Sequence, residues 1–208
     1  LYANYLEKDF LSSFTKDELR EKILWKIEEQ EDDMTFIFLN RLHGISAPVA
    51  IKKSFSTSLS AVDEANEWYV TLWNSLTDDY KLAYNAGVVF TELFMNAYEH
   101  GNLGLSSVEK HALMEEDNYF STLEKLEESS DKKIEVCINT IHYNNNRYIT
   151  TTIRDEGKGF DTQILSDIFR DRKNFNGRGV YISRQASLGI YYNAKGTSVL
   201  FLHRIEGE

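Results

Sequence analysis

The sequence predicts an α+β fold, a two-layer sandwich whose mixed, mainly antiparallel sheet is covered on one face by helices. Three observations predict it. Runs rich in β-formers come in neighbouring pairs, "KIEVCINTIHY" beside "RYITTTIRD" and "IYYNAKGTSVLFLHRI", which turns back on itself at "NAKG". Two long helical stretches, one opening at Ser60 and one at Thr77, stand together ahead of those strands. The order is strands, two helices, two strands, a helix, then strands, which suits one sheet with its helices on one side.

The elements follow in chain order. Residues 1–31 have helical spacing: "TKDELREKILWKIEEQ" offers Thr15 as N-cap, Glu18 three residues on, and Leu19, Ile23, Leu24 and Ile27 on one face. Strands are expected at "MTFIFLNRL" and "APVAIKKSFS", with the single proline, Pro48, between them. Residues 1–45 thus make an N-terminal helical or linker extension with a first strand, and 46–208 a domain of their own. Ser60 is expected to cap the helix through "AVDEANEWYVTLWNSL", and Thr77 the helix "DDYKLAYNAGVVFTELFMNAYEHG", which stops at Gly101. An acidic segment at about 103–133 is helical in character but has no strong apolar face, as an insertion would. The two β-runs around "NNN" are a hairpin. "GRGVYISRQASLG" is a helix opened by glycines, and the chain closes with a second hairpin.

Composition narrows the function. At 42% hydrophobic and 27% charged the chain supports a core, and no run of eighteen apolar residues spans a membrane. The single cysteine, Cys137, lies in a strand pattern, and with no signal peptide visible the expectation is a reduced, cytoplasmic protein. The start at Leu1 is expected of a piece cut from a multidomain protein. A net charge of -10 opposes binding to a nucleic-acid backbone. The charge is uneven: eight acids and two lysines lie between Glu109 and Asp131, while five bases and one acid lie between Arg170 and Arg184.

Four short patterns carry chemistry. On the second long helix Asn85, Glu92, Asn96 and His100 share one face, while Val89, Phe90, Leu93, Phe94 and Ala97 supply an apolar one. A carboxylate there can polarise a hydroxyl or water, and an amide oxygen suits a hard cation such as Mg²⁺. In "RDEGKGFD" a strand ends at Asp155, whose carboxylate can accept from an exocyclic amine, and Gly157 and Gly159 let the backbone approach a ligand. In "NGRGVYISRQ" glycines precede a helix start, an anion site that Arg178 and Arg184 would strengthen. In "AKGTSVLFL", Gly196 and Thr197 open the last strand. Taken singly, each is also what a turn or a solvent-facing helix stripe requires.

In their order and separation the four patterns resemble the histidine-kinase-like (GHKL, Bergerat-type) ATPases, the superfamily of gyrase and the sensor kinases. The chain is most similar to the small anti-sigma-factor serine/threonine kinases. "ELFMNAYEHGN" resembles their N box, "DEGKGFD" and "GRGVYISRQ" their two glycine boxes, and "KGTSVLF" their closing Gly-Thr strand, over residues 50–205. The resemblance implies ATP and Mg²⁺ as cofactors. It implies Glu92 as general base, Asn96 as the Mg²⁺ ligand, and His100 and Asn102 on the phosphate side. Asp155 would read the adenine amine with help from Thr197. Gly157 and Gly159 would shape the base pocket, Gly177, Arg178 and Gly179 would place backbone amides on the phosphates, and Phe160 and Val180 would also bind the cofactor. Two departures from the family stand out: 161–176 has no proline, and the 103–133 insertion is long.

The expected activity is therefore phosphorylation of a STAS-type antagonist protein, controlling partner switching with that protein or a sigma factor. A homodimer is expected by the same resemblance. Two alternatives stay open: an ATP-sensing, protein-binding output domain of a multidomain signalling protein such as a response regulator, and the catalytic half of a histidine kinase. No phosphoacceptor helix is evident for the latter.

Overall fold

The computed structural model describes residues 8, 9, 19, 22, 51–143, 146–162 and 178–205. The expected strand at "MTFIFLNRL", most of the helix at 1–31, the middle of "NNN", most of the 161–176 segment and Gly177 lie outside the described residues. Lys8, Asp9, Leu19 and Lys22 are helical.

The described strands are β1 (Ile51–Ser56), β2 (Lys133–Tyr143), β3 (Asn146–Arg154), β4 (Ile190–Tyr192) and β5 (Ser198–Ile205). They form one sheet in the order β1-β2-β3-β5-β4, antiparallel in every described pairing. Helices α1 (Leu59–Leu76) and α2 (Tyr80–Asn96) lie on one face of it. The α+β two-layer architecture is thus the one expected.

Apolar spacing builds the core. Helix α1 buries Ala65, Tyr69 and Trp73, and α2 buries Ala86, Val89, Phe90, Leu93 and Phe94. Against them the sheet sets Ile134, Val136, Ile138, Ile149, Ile153, Val199 and Phe201. Tyr69 stacks on Phe90 with ring centroids 4.0 Å apart, and its hydroxyl lies 2.9 Å from Thr151 Oγ1. That bond ties α1 to β3 and satisfies a phenol that burial would otherwise penalise. On the second face of the sheet Tyr148, Thr150 and Leu202 are buried too.

The helix starts differ from the expectation by two residues. Ser58, not Ser60, caps α1: its backbone is extended and its hydroxyl accepts from Ala61 N at 3.2 Å. Asp79, not Thr77, caps α2, accepting from Leu82 N at 3.0 Å, while Thr77 closes α1 through its N–H to Trp73 O. At the helix end that carries partial positive charge a carboxylate is favoured over a hydroxyl.

Helix α2 does not stop at Gly101 in α geometry. From Ala97 to Asn102 it widens into a π-helical turn, marked by Leu103 N bonding to Tyr98 O at 3.0 Å. An unbroken α-helix would carry the apolar stripe beyond Ala97 to His100 and Gly101. The wider turn instead buries Tyr98, Glu99 and Asn102 and leaves His100 exposed.

The acidic segment expected to be an insertion forms two helices, α3 (Ser107–Glu115) and α4 (Tyr119–Glu128). A capping box starts α3: Ser106 Oγ accepts from Glu109 N, and Glu109 returns to Ser106 N at 2.8 Å. Helix α3 buries nothing and α4 only Tyr119 and Leu123, in keeping with the weak apolar face. Polar bonds hold the pair in place. Glu99, 1% exposed, receives Lys110 Nζ at 2.6 and 2.8 Å and the Tyr119 hydroxyl. Glu127 of α4 accepts from the Tyr98 hydroxyl and from Leu59 N, the latter at 2.7 Å. Helix α5 (Arg178–Gln185) packs against α2.

Candidate functional site

The site is built where the π turn, the loop after β3 and the β4–β5 turn meet, and where α5 begins against α2. The first group centres on Asp155. Its carboxylate accepts from Gly157 N at 2.8 Å, and its own N–H bonds to Thr197 O at 3.1 Å. Two glycines make this packing possible. A Cβ on Gly101 would lie 2.5 Å from the Asp155 carboxyl carbon, and one on Gly157 would lie 2.1 Å from Gly101 O. Burial raises the Asp155 carboxyl above the ordinary aspartate range, opposed by the Gly157 N–H and by Lys132. A half-buried carboxylate held this way is stabilised by a donor that reaches it.

The loop continues at positive φ through Gly159 (φ 75), where a Cβ would lie 1.8 Å from Lys195 O. Phe160 N then bonds to Lys195 O at 3.1 Å, and the Phe160 ring, 40% exposed, rests over Gly196. Asn193 organises the facing turn. Its side chain accepts from Thr197 N at 2.9 Å and donates to Thr197 Oγ1 at 3.1 Å. Asp155, Gly157, Gly159, Phe160 and Thr197, expected to act together from distant parts of the sequence, are thus in one place.

The second group centres on Glu92. Asn96 Nδ2 donates to Glu92 Oε1 at 3.4 Å. A Cβ on Gly179 would fall 1.7 Å from the same oxygen, so the carboxylate lies directly against the first turn of α5. That turn carries unpaired N–H groups and the positive end of the helix dipole, which attract an anion. Val180 follows, partly buried. Arg178 opens α5, its side chain outside the described part. Because the Asn96 amide nitrogen serves Glu92, its oxygen is left as a neutral donor, which fits a hard cation that keeps waters and borrows phosphate oxygens. Among the described residues no group of three or more His, Cys, Asp or Glu is placed to hold a metal ion. Any Mg²⁺ here would lean on Asn96 and its ligand's oxygens.

Two more expected site residues flank Gly101 and bond within the protein. Asn102, 2% exposed, is a strut: Nδ2 donates to Thr57 Oγ1 at 2.8 Å and Lys133 O at 3.1 Å, and Oδ1 accepts from Glu156 N at 2.8 Å. These bonds fix the loop bearing Asp155. His100 is exposed, and its Nδ1 bonds to Leu105 O. A carbonyl only accepts, so Nδ1 carries the proton and Nε2 is the free nitrogen.

Sequence reasoning missed Gly101 and Glu99. Gly101 is more than a helix stop, because its missing side chain admits Asp155. Glu99 sits in a greasy helix end, and its partners lie eleven and twenty residues on. No protein-family model matches the chain, and no curated protein matches it either.

Proposed function

We propose that the chain is an ATP-binding regulatory domain of the histidine-kinase-like type, acting as an anti-sigma-type protein serine/threonine kinase on a STAS-type partner. The observation that carries this reading is that one helix meets two carboxylates at separate points, its own Glu92 and, at Gly101, Asp155 from the end of β3. Asp155 packs on Gly101, nine residues after Glu92, which is roughly 12 Å of helix axis. That is about the length of an extended nucleoside phosphate chain. An amine of the base would bond to Asp155, and the phosphates would meet the start of α5 beside Glu92 and Asn96.

In this reading Asn96 would hold Mg²⁺, which supplies charge compensation for the phosphates. Glu92 would take the proton of the attacking serine or threonine hydroxyl. Phosphoryl transfer depends on positioning and charge more than on covalent help from the protein. The cytoplasm, as a compartment holding both ATP and such partners, goes with the reading. Among the described residues no helix is long and apolar enough to cross a membrane.

Calorimetric titration of the chain with ATP, with and without Mg²⁺, tests the reading. ATP binds, Asp155→Asn loses at least tenfold in affinity, and Glu92→Ala binds but no longer phosphorylates an added STAS-type protein. Absence of binding at millimolar ATP would sink the reading. Binding without transfer would favour the protein-binding output domain, an alternative that the exposed Val108, Met114 and Phe120 on the insertion also support.

A further inference from the structure

Asn193 stands just outside the four sequence patterns, in the turn between β4 and β5. Its neighbours fix which way its amide points. Oδ1 accepts from two backbone N–H groups, Thr197 N at 2.9 Å and Ser198 N at 3.2 Å. A backbone N–H only donates, so the amide oxygen must face these two and the amide nitrogen must face away. That nitrogen, Nδ2, donates to Thr197 Oγ1 at 3.1 Å. Backbone bonds hold the turn as well, Asn193 N to Ser198 O at 2.9 Å and Gly196 N to Asn193 O at 3.0 Å.

The Nδ2 bond decides what the Thr197 hydroxyl can do. A hydroxyl has one proton, and an oxygen that accepts from an amide N–H cannot donate back to it. No hydrogen bond printed among the described residues takes that proton. The Thr197 methyl lies on the side of Gly159, where an added Cβ would stand 3.1 Å from it. Register places the hydroxyl beside Asp155. Arg154 pairs with Ser198, and one step further Asp155 N bonds to Thr197 O at 3.1 Å. Residues directly opposite on antiparallel strands share a face, with Cβ atoms about 5 Å apart. Ile153 and Val199, two residues back along each strand, are buried beneath the helices. Asp155 and Thr197 therefore both face the helical layer, where Gly101 meets the Asp155 carboxyl. An acceptor and a donor thus stand side by side at the end of the sheet.

We infer that Asn193 is a positioning residue for base recognition. By donating to Thr197 Oγ1 it turns the hydroxyl proton toward the ligand. The Asp155–Thr197 pair then takes the amine and the adjacent ring nitrogen of a 6-aminopurine, and rejects a 6-oxopurine, whose donor and acceptor are reversed. The inference rests on the ATP reading above and deepens it, because it names the residue that sets the polarity of the base site.

The test titrates the full chain calorimetrically with ADP and with inosine 5′-diphosphate, without Mg²⁺, and reads the ratio of the two affinities. The ligands share ribose and phosphates, so a change in protein charge or in the folded fraction cancels from the ratio. Asn193→Asp keeps the acceptor for Thr197 N and Ser198 N but replaces the amide donor with a second acceptor. The Thr197 hydroxyl then donates to the new carboxylate and shows the ligand only its oxygen. The preference for ADP narrows by roughly five- to tenfold, the worth of one hydrogen bond whose partner is left unpaired. Asn193→Ala, which frees the hydroxyl to turn either way, narrows it less. In a Thr197→Val background, which has no hydroxyl to turn, Asn193→Asp changes nothing further. If both Asn193 variants keep the parent's ratio, or if Asn193→Asp narrows it as much in the Thr197→Val background, the inference is overturned while the ATP reading stands. If the parent binds ADP no better than inosine 5′-diphosphate, both fall.

Discussion

At the scale of single residues, the site rests on glycines whose absent side chains are replaced by carboxylates. Gly101 and Gly157 make room for Asp155, and Gly179 for Glu92. Asp155 carries a definite pH signature. Its folded-state pKa is raised by burial, so in the empty protein it favours the fold while protonated, and that contribution is lost as pH rises through its titration. A ligand amine bonds to the ionised form and brings the pKa back down. Under the proposed ATP reading, affinity for adenine nucleotides rises with pH through the Asp155 titration, with proton release on binding, and the Asp155→Asn variant shows neither. Calorimetry in buffers of differing ionisation enthalpy measures the release. Uptake of protons, or an unchanged count in the variant, would contradict this role. The residue types at Glu92, Asn96 and Asp155 were legible in the sequence because helical and strand spacing put them in line. The role of Asn102 was not, because its three partners, Thr57, Lys133 and Glu156, come from three separate segments.

At the scale of elements, α1 and α2 were legible from apolar periodicity, since Tyr69, Trp73, Phe90 and Phe94 recur at helical intervals. Their starts were not. Ser58 and Ser60, and Thr77 and Asp79, are cap-formers two residues apart, and propensity alone does not separate them. The π turn was hidden for a different reason: a 3.6-residue period assumes that the helix continues unchanged. The insertion was read as helical and weakly amphipathic, and so it is, but its anchorage to Glu99 was invisible. That anchorage is a buried carboxylate paired with a half-buried ammonium and a phenol. Lys110→Met leaves Glu99 with the Tyr119 hydroxyl alone, and costs about 2 kcal/mol, below the range for fully buried pairs because Lys110 is partly solvated. Adding Glu99→Gln recovers most of that loss, because a neutral amide no longer needs the cation. Urea unfolding of the single and double variants checks both statements, and additive losses would show that the pair is not coupled.

At the scale of the whole molecule, the layer architecture followed from the order of elements, and the sheet's antiparallel pairing from its two hairpins. The pH range of stability follows from the core. His203, 3% exposed, lies edge-on to Trp73 and bonds through Nε2 to Ala186 O at 3.1 Å. Burial, outweighing that bond, lowers its pKa from 6.5 to about 4. The neutral ring contributes stability that is present above pH 6.5 and is lost as pH falls toward 4, on the order of 3 kcal/mol in all. Denaturant midpoints at pH 7 and pH 4.5 for the parent chain and a His203→Gln variant measure it: the variant loses less on acidification. Equal losses would assign the acid sensitivity elsewhere. The topology also sets an order of assembly. Tyr143 and Asn146 face each other as near neighbours in the chain, whereas Phe55 reaches across about eighty residues to Ile134. Because closure entropy grows only with the logarithm of length, the insertion's thirty or so residues add only about 0.4 kcal/mol to that step. The β2–β3 hairpin is thus the natural seed of the sheet and β1 its late arrival. The helix that carries Glu92 and Asn96 hangs in the loop that closes last, so the candidate site matures only when the first strand docks.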